Sequence, residues 1–290
     1  MHRLSITYDK LKKHMTQIKQ RIRSQVELIF PELPIAVDID TDTARELLRR
    51  YLSPEEFINM NIYSETTIIE KVSQRQHGLK TLKRIQEVAA NSIGITVSDD
   101  LLFAEKLTMF NWLNQYQLIK EQMKLVLDKL IEIAEESPMF AILTSLKGIS
   151  GITASRFIAE LRDPKLFTNY KQIETFAGMS LKLSQSGKFT GYRRITHIGN
   201  HRLRAIIYTM AEETKNHIPE IRIRYLKRQM KQSRYKKNVV ASASNMLKLI
   251  MSMFKDNHIY KYKEESLEEL KQLDIKYKEF KNKKKLKKSA

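Results

Sequence analysis

The chain has no cysteine. That excludes a disulfide framework and thiolate metal sites, and it fits a reducing interior. No apolar run reaches the length of a membrane span, and Met1 does not open a charged segment leading into an apolar signal stretch. The sequence therefore reads as soluble and cytoplasmic, with no membrane partner. Acidic residues are few for the length: 33 Asp+Glu stand against 52 Lys+Arg in 290 residues, a formal net charge of +19. Such an excess attracts polyanions through counterion release and electrostatic steering, so nucleic acid is the expected partner. The excess is also local. Residues 181–240 hold 15 Lys+Arg and 3 Asp+Glu, a net +12, whereas a merely solubilising charge would be spread more evenly.

Glycine and proline are absent from Leu102 to Glu136. Across that stretch Met109, Trp112, Tyr116, Ile119, Met123, Val126, Leu130 and Ile133 recur at alternating steps of three and four, a heptad seam. A long helix with such a seam wants a partner helix, supplied either by an intramolecular bundle or by a second copy of the chain. A homo-oligomer is expected, its number left open because Tyr116 and Met123 in the seam do not choose dimer over tetramer. An earlier helix is predicted over about 5–29, stopped by Phe30-Pro31-Glu32-Leu33-Pro34, and further helices over 41–51 and 64–91. Asp38, Asp40 and Asp42 precede the 41–51 helix, where carboxylates favour its N-terminus.

Ser137-Pro138 reads as an N-cap followed by proline at the first helical position, the start of a new unit. Helices are predicted over 138–146, 152–161, 169–177, 219–232 and 237–255. Residues 179–198 lack helical periodicity and contain Gly187 and Gly191, so short strands and a loop are expected there. Asn200 should cap a helix that buries Leu203, Ile206, Ile207 and Met210 and turns Arg202 and Arg204 outward. The end, KNKKKLKK (281–288), reads as a basic tail, helical or disordered. The expected fold is mainly α: a helical coiled-coil module, 1–136, a mostly helical domain with a small extended insert, 137–255, and a tail, 256–290.

Three motifs carry the chemistry. In LTSLKGISGITASRFIAEL (143–161), Gly148-Ile149-Ser150-Gly151 joins two short amphipathic helices in the manner of a helix-hairpin-helix. Glycines at 148 and 151 would let a nucleic-acid backbone approach, and the amides at the start of the 152–161 helix, with Thr153 among the contacting residues, would point at one phosphate. An ordinary connection used for packing is the plainer reading. In FAGMSLKLSQSGKFTG (176–191), Ser186 precedes Gly187 in a loop near Lys182, Lys188, Arg193 and Arg194, cations able to neutralise a phosphodiester. A loop serine before glycine is also a common turn former. Ser184 is a nearby alternative, and no residue close by is an evident base. His197 and His201 sit four apart, but Gly199-Asn200 interrupts any helix that would align them, so zinc is discounted.

The succession GISGITA (148–154), FAGMSLKLSQSGKFTG (176–191) and RITHIGNHRLR (194–204) resembles the carboxy-terminal domain of Piv-like insertion-sequence transposases, the insertion sequence 110/1111 class guided by a bridge RNA. The resemblance covers about 140–255, and more weakly LKKHMTQIKQRIRSQVELIFPEL (11–33). It implies DNA transposition by recombination through a covalent serine intermediate, with the serine of the family's Q-S-G step on Ser186. It further implies DNA and a structured guide RNA as partners, nucleoid association in a bacterium, and magnesium held by an amino-terminal RuvC-like domain. That domain's acidic K-T-D-x-x-D-A type segment does not occur here, so a truncated form is expected, with no metal site and no cofactor of its own. A non-enzymatic helix-hairpin-helix binding protein is the alternative, and a coiled-coil assembly protein a third.

Overall fold

The computed structural model describes the chain except for residues 96–97, 183–184, 187–188, 191–193, 232–233 and 290, with backbone alone in the rest of 181–194 and in 283–289. Fourteen α-helices, one 3-10 turn and four two-residue strands occur among the described residues, so the fold is mainly α. Two compact units form, residues 7–125 and residues 1–6 with 126–290.

The first unit contains most of α1 (His2–Ile29), then α2 (Leu33–Ala36), α3 (Asp42–Leu48), α4 (Pro54–Asn59), α5 (Ile62–Val72), α6 (Leu79–Ala89) and the larger part of α7 (Asp99–Glu135). The part of the α7 heptad seam from Met109 to Met123 finds a partner within this unit. Met109, Tyr116 and Ile119, with Leu113, are buried in one core with Ile18, Ile22 and Val26 of α1. The two helices run antiparallel: Lys19 lies over the Tyr116 ring, Arg21 over Trp112 at 4.5 Å, and Gln25 Nε2 donates to the Glu105 carbonyl at 2.8 Å.

The sequence predicts one helix over 64–91, and the chain instead breaks it into α5 and α6. Gln74 and Arg75 take left-handed φ values of 52° and 64°, and the Ser73 hydroxyl bridges the His77 backbone. Helix α4 lies outside the predicted set. Its Ser53 and Glu56 form a reciprocal capping box around Pro54 at the first helical position, a signal present in the sequence. Thr41 caps α3, and Asp42 sits in its first turn.

The second unit takes the last turns of α7, where Ala134 joins its core. There follow α8 (Pro138–Thr144), α9 (Gly151–Leu161), a 3-10 turn (Pro164–Leu166) and α10 (Tyr170–Phe176). The extended insert holds β1 (Leu181–Lys182), β2 (Gln185–Ser186), β3 (Phe189–Thr190) and β4 (Arg194–Ile195). Then come α11 (His201–His217), α12 (Pro219–Met230), α13 (Tyr235–Asp256) and α14 (Glu264–Ser289). Helices α9, α11 and α13 pack around Phe157, Leu203, Ile207, Met210, Met246 and Leu247, all at 0% exposure. Each such side chain contributes roughly 1.5–3 kcal/mol of transfer free energy on burial. The basic tail is helical over α14, which packs Leu270, Leu273 and Tyr277 against Ile223 and Leu226 of α12.

Candidate nucleic-acid interface

Helices α8 and α9 follow one another across the turn 145–150, each opened by a serine cap. Ser137 Oγ accepts from the Met139 amide at 3.4 Å, and Ser150 Oγ accepts from the Thr153 amide at 3.3 Å. Ile149 is buried between them. The two glycines differ in what they do. Gly148 has φ +102°, and a Cβ there would meet the Glu213 Cβ and the His217 ring at 3.1 Å, so this glycine permits close packing on α11. Gly151 has no such backbone demand; a Cβ would meet only the Phe140 ring at 3.3 Å. The Thr153 amide is already occupied by Ser150, leaving those of Gly151 and Ile152 to head α9 without an intrahelical acceptor.

The second motif is an arm of two nested ladders. Strand β1 pairs antiparallel with β4, Lys182 opposite Arg194, and β2 pairs with β3, Ser186 opposite Phe189. Only Gly187 and Lys188 separate Ser186 from Phe189 in sequence. Lys188 and Arg193, with the alternative Ser184, lie outside the described residues, and for Lys182, Ser186 and Arg194 the description is of backbone alone.

The base of the arm is held by backbone hydrogen bonds. The Thr196 amide donates to the Ser180 carbonyl at 3.0 Å, His197 to Gly178 at 3.0 Å, and Asn200 to Phe176 at 2.7 Å. Gly178 and Gly199 make this closeness possible. A Cβ on Gly199 would stand 2.5 Å from the Phe176 carbonyl oxygen, and one on Gly178 would stand 2.7 Å from the Ile198 carbonyl oxygen.

Asn200 caps α11 as the sequence predicts, its Oδ1 accepting from the Arg202 and Leu203 amides at 3.0 and 3.1 Å. Its Nδ2 donates to Glu160 Oε2 at 2.9 Å. Glu160, fully buried on α9, also accepts from Ser5 Oγ at 2.9 Å. Arg204 does not face outward as expected. It is half-buried, and its Nη1 donates to the Ala177 carbonyl at 2.9 Å and to the His197 carbonyl at 3.3 Å, fastening α11 to the arm's base. Arg202 is also half-buried. Neither His197 nor His201 takes part in a group of three or more His, Cys, Asp or Glu side chains able to hold a metal, and no such group occurs among the described residues.

Two clusters escaped sequence reasoning. Glu160 lies in the apolar run Phe157-Ile158-Ala159-Glu160-Leu161, and a carboxylate on a face otherwise destined for the core was the available signal. Lys215 on α11 is buried, pairs with Glu212, and lies over the Tyr225 and Tyr235 rings at 5.5 and 5.6 Å. Burial raises the Glu212 carboxyl, but hydrogen bonds from Lys215 and Tyr235 outweigh it and hold the group below the usual carboxylate range. The cluster ties α11, α12 and α13 together through partners spread over the sequence, which no local pattern signals.

No helix among the described residues is long and apolar enough to cross a membrane. No curated protein matches the chain. The family model of the transposases of the IS116/IS110/IS902 family matches residues 140–226. That segment begins within α8 and ends within α12, so it encloses the hairpin, the arm and the Asn200-capped helix. Over these residues the chain is similar to the transposases of the IS116/IS110/IS902 family.

Proposed function

We propose that the chain acts in DNA transposition by site-specific strand exchange, engaging DNA and a structured guide RNA, with Ser186 as the nucleophile. The observation that supports this most is the arm itself: Ser186 stands in β2 beside the Gly187-Lys188 step, within the segment matched by the transposase family. In the reaction the serine oxygen would form a bond to phosphorus, the bond from phosphorus to a sugar oxygen would break, and the serine proton would end on that departing oxygen. Cations at Lys182, Lys188, Arg193 and Arg194 are the residues suited to balance the charge that develops on the phosphate. Gly151 and Thr153 would open the helix end nearest a second phosphate, with Arg202 extending the basic stripe. Gly148 and Arg204 serve by shaping the hairpin and the base of the arm.

Magnesium is the ion that the complete family enzyme implies. The described residues offer no cluster that fits it, and no step here runs through it.

A homo-oligomer is proposed on the outward face of α7. The seam from Met109 to Met123 is taken up inside the first unit, but Phe103, Leu107, Phe110 and Leu118 stand exposed at helical steps. Leu107→Asp should then lower the mass seen in sedimentation, and a wild type already monomeric at micromolar concentration would remove the proposal.

The catalytic assignment is tested with the full chain, a RuvC-like domain of the family, a matching RNA and labelled DNA, following a covalent protein–DNA adduct on denaturing gels. The adduct should form with wild type and Ser184→Ala and vanish with Ser186→Ala while DNA binding persists. An adduct that survives Ser186→Ala removes the serine from the mechanism. Binding without any adduct leaves the non-enzymatic module as the better reading.

A further inference from the structure

A second basic feature lies within the same unit, away from the arm in sequence. Helices α12 and α13 and the segment 257–263 enclose a groove of about 910 Å³, within the size range of small-ligand sites. Its apolar lining includes Ile221 and Leu249, and Arg224, Lys248, Lys261 and Lys263 surround it. Among the described residues Lys248, Lys261 and Lys263 form no ion pair, while the one lining carboxylate, Glu220, accepts from the Tyr260 hydroxyl at 2.5 Å. The groove is therefore strongly positive around an apolar floor.

One wall is aromatic. Tyr260 is fixed twice, through its hydroxyl on Glu220 and through its backbone amide, which donates to Ser145 Oγ at 2.9 Å. Burial, followed by the Glu220 carboxylate, raises the phenol far above its ordinary range, so it remains a donor. Tyr262 meets Tyr260 in a T-shaped contact, ring centroids 5.2 Å apart and planes at 75°. In a T-shaped pair at least one face of each ring is left uncovered by the other. Tyr262 lines the groove and is 47% exposed.

We propose that this groove binds one unstacked nucleotide of a single-stranded nucleic acid, with its base on Tyr262 and its flanking phosphates on Lys248, Lys261 and Lys263. Aromatic platforms beside backbone-tracking cations are the means by which single strands are held without sequence preference. A purely apolar ligand would use the floor and leave the cations unmatched. A duplex would meet the cations, but its bases are stacked on each other and cannot reach Tyr262.

The inference rests on the nucleic-acid reading above, and the test separates the two. Fluorescence anisotropy of the full chain would compare labelled oligo-dT and oligo-U strands with a blunt duplex of equal length. Tyr262→Ala should weaken single-strand binding roughly tenfold and leave duplex binding little changed, while Tyr262→Phe, which keeps the ring, should bind like wild type. A 5-bromouridine strand should photocrosslink to Tyr262. Unchanged single-strand affinity in Tyr262→Ala, or equal losses for strand and duplex, would overturn this site and leave the arm's role intact. Absence of binding to any strand or duplex by wild type would overturn both.

Discussion

Asn200 and Glu160 are joined by a hydrogen bond from Nδ2 to Oε2 at 2.9 Å, and the same asparagine turns its Oδ1 to the first amides of α11. One side chain thus caps a helix and satisfies a buried carboxylate, using the acceptor and the donor of its amide at once. Aspartate could cap α11 equally well but would set a second carboxylate against Glu160.

Asn200→Ala should therefore cost roughly 2–4 kcal/mol, combining a lost cap with an under-satisfied buried carboxylate. Asn200→Asp should be destabilising as well, although aspartate is among the best caps. Thermal melts of the three proteins check this. An aspartate variant as stable as wild type would mean that the contact between position 200 and Glu160 contributes little to stability.

The glycines of the motifs should separate by substitution. Gly199 has φ +142° and no room beside the Phe176 carbonyl, so Gly199→Ala should destabilise by roughly 2 kcal/mol or more. Gly178→Ala should behave similarly, with its φ of +70° and the Ile198 carbonyl oxygen at 2.7 Å. Gly151→Ala should stay within about 1 kcal/mol of wild type, since that position needs no left-handed backbone. Denaturant midpoints at constant slope would measure all three, and a Gly151 variant as damaged as Gly199 would contradict the ordering.

Binding should fall steeply with salt, because +12 of the net charge lies in 181–240. Removing Arg193, Arg194 and Arg202 together should lessen the log–log slope by about one for each phosphate that the variant no longer neutralises. Arg204→Ala should instead lower the melting temperature, because its guanidinium holds the Ala177 and His197 carbonyls. An unchanged slope in the triple variant would place the phosphate-binding surface elsewhere on the chain.

Acid should weaken the first unit through Glu32. Burial raises this carboxyl, but the Ile93 amide and the Ser92 hydroxyl donate to it and together leave it below its ordinary value. A depressed folded value means the stabilisation is present above the unfolded pKa, about 4.3, and is lost as pH falls through the folded one. Stability measured from pH 6 down to pH 3 should therefore decline less steeply in Glu32→Gln than in wild type. Parallel profiles would show that this clamp contributes no pH dependence.

The sequence by itself determined where several helices start, although it missed α4 and the break between α5 and α6. Ser137, Ser150, Asn169 and Asn200 each cap the helix that follows, and capping depends on residues within one turn of each other. The heptad spacing of α7 likewise needs only its own residues to define a buried stripe. Tertiary structure decided what those local features meet. It gave the first part of the α7 seam to α1 inside the first unit, turned Arg204 from an outward cation into a clasp on two carbonyls, and made Gly148 a packing residue against α11. It also brought Ser5, Glu160 and Asn200 together across 155 and 40 residues of chain. Periodicity and capping are short-range and therefore visible in sequence, whereas the partner of a buried charge or of a crowded glycine is fixed only when distant segments pack.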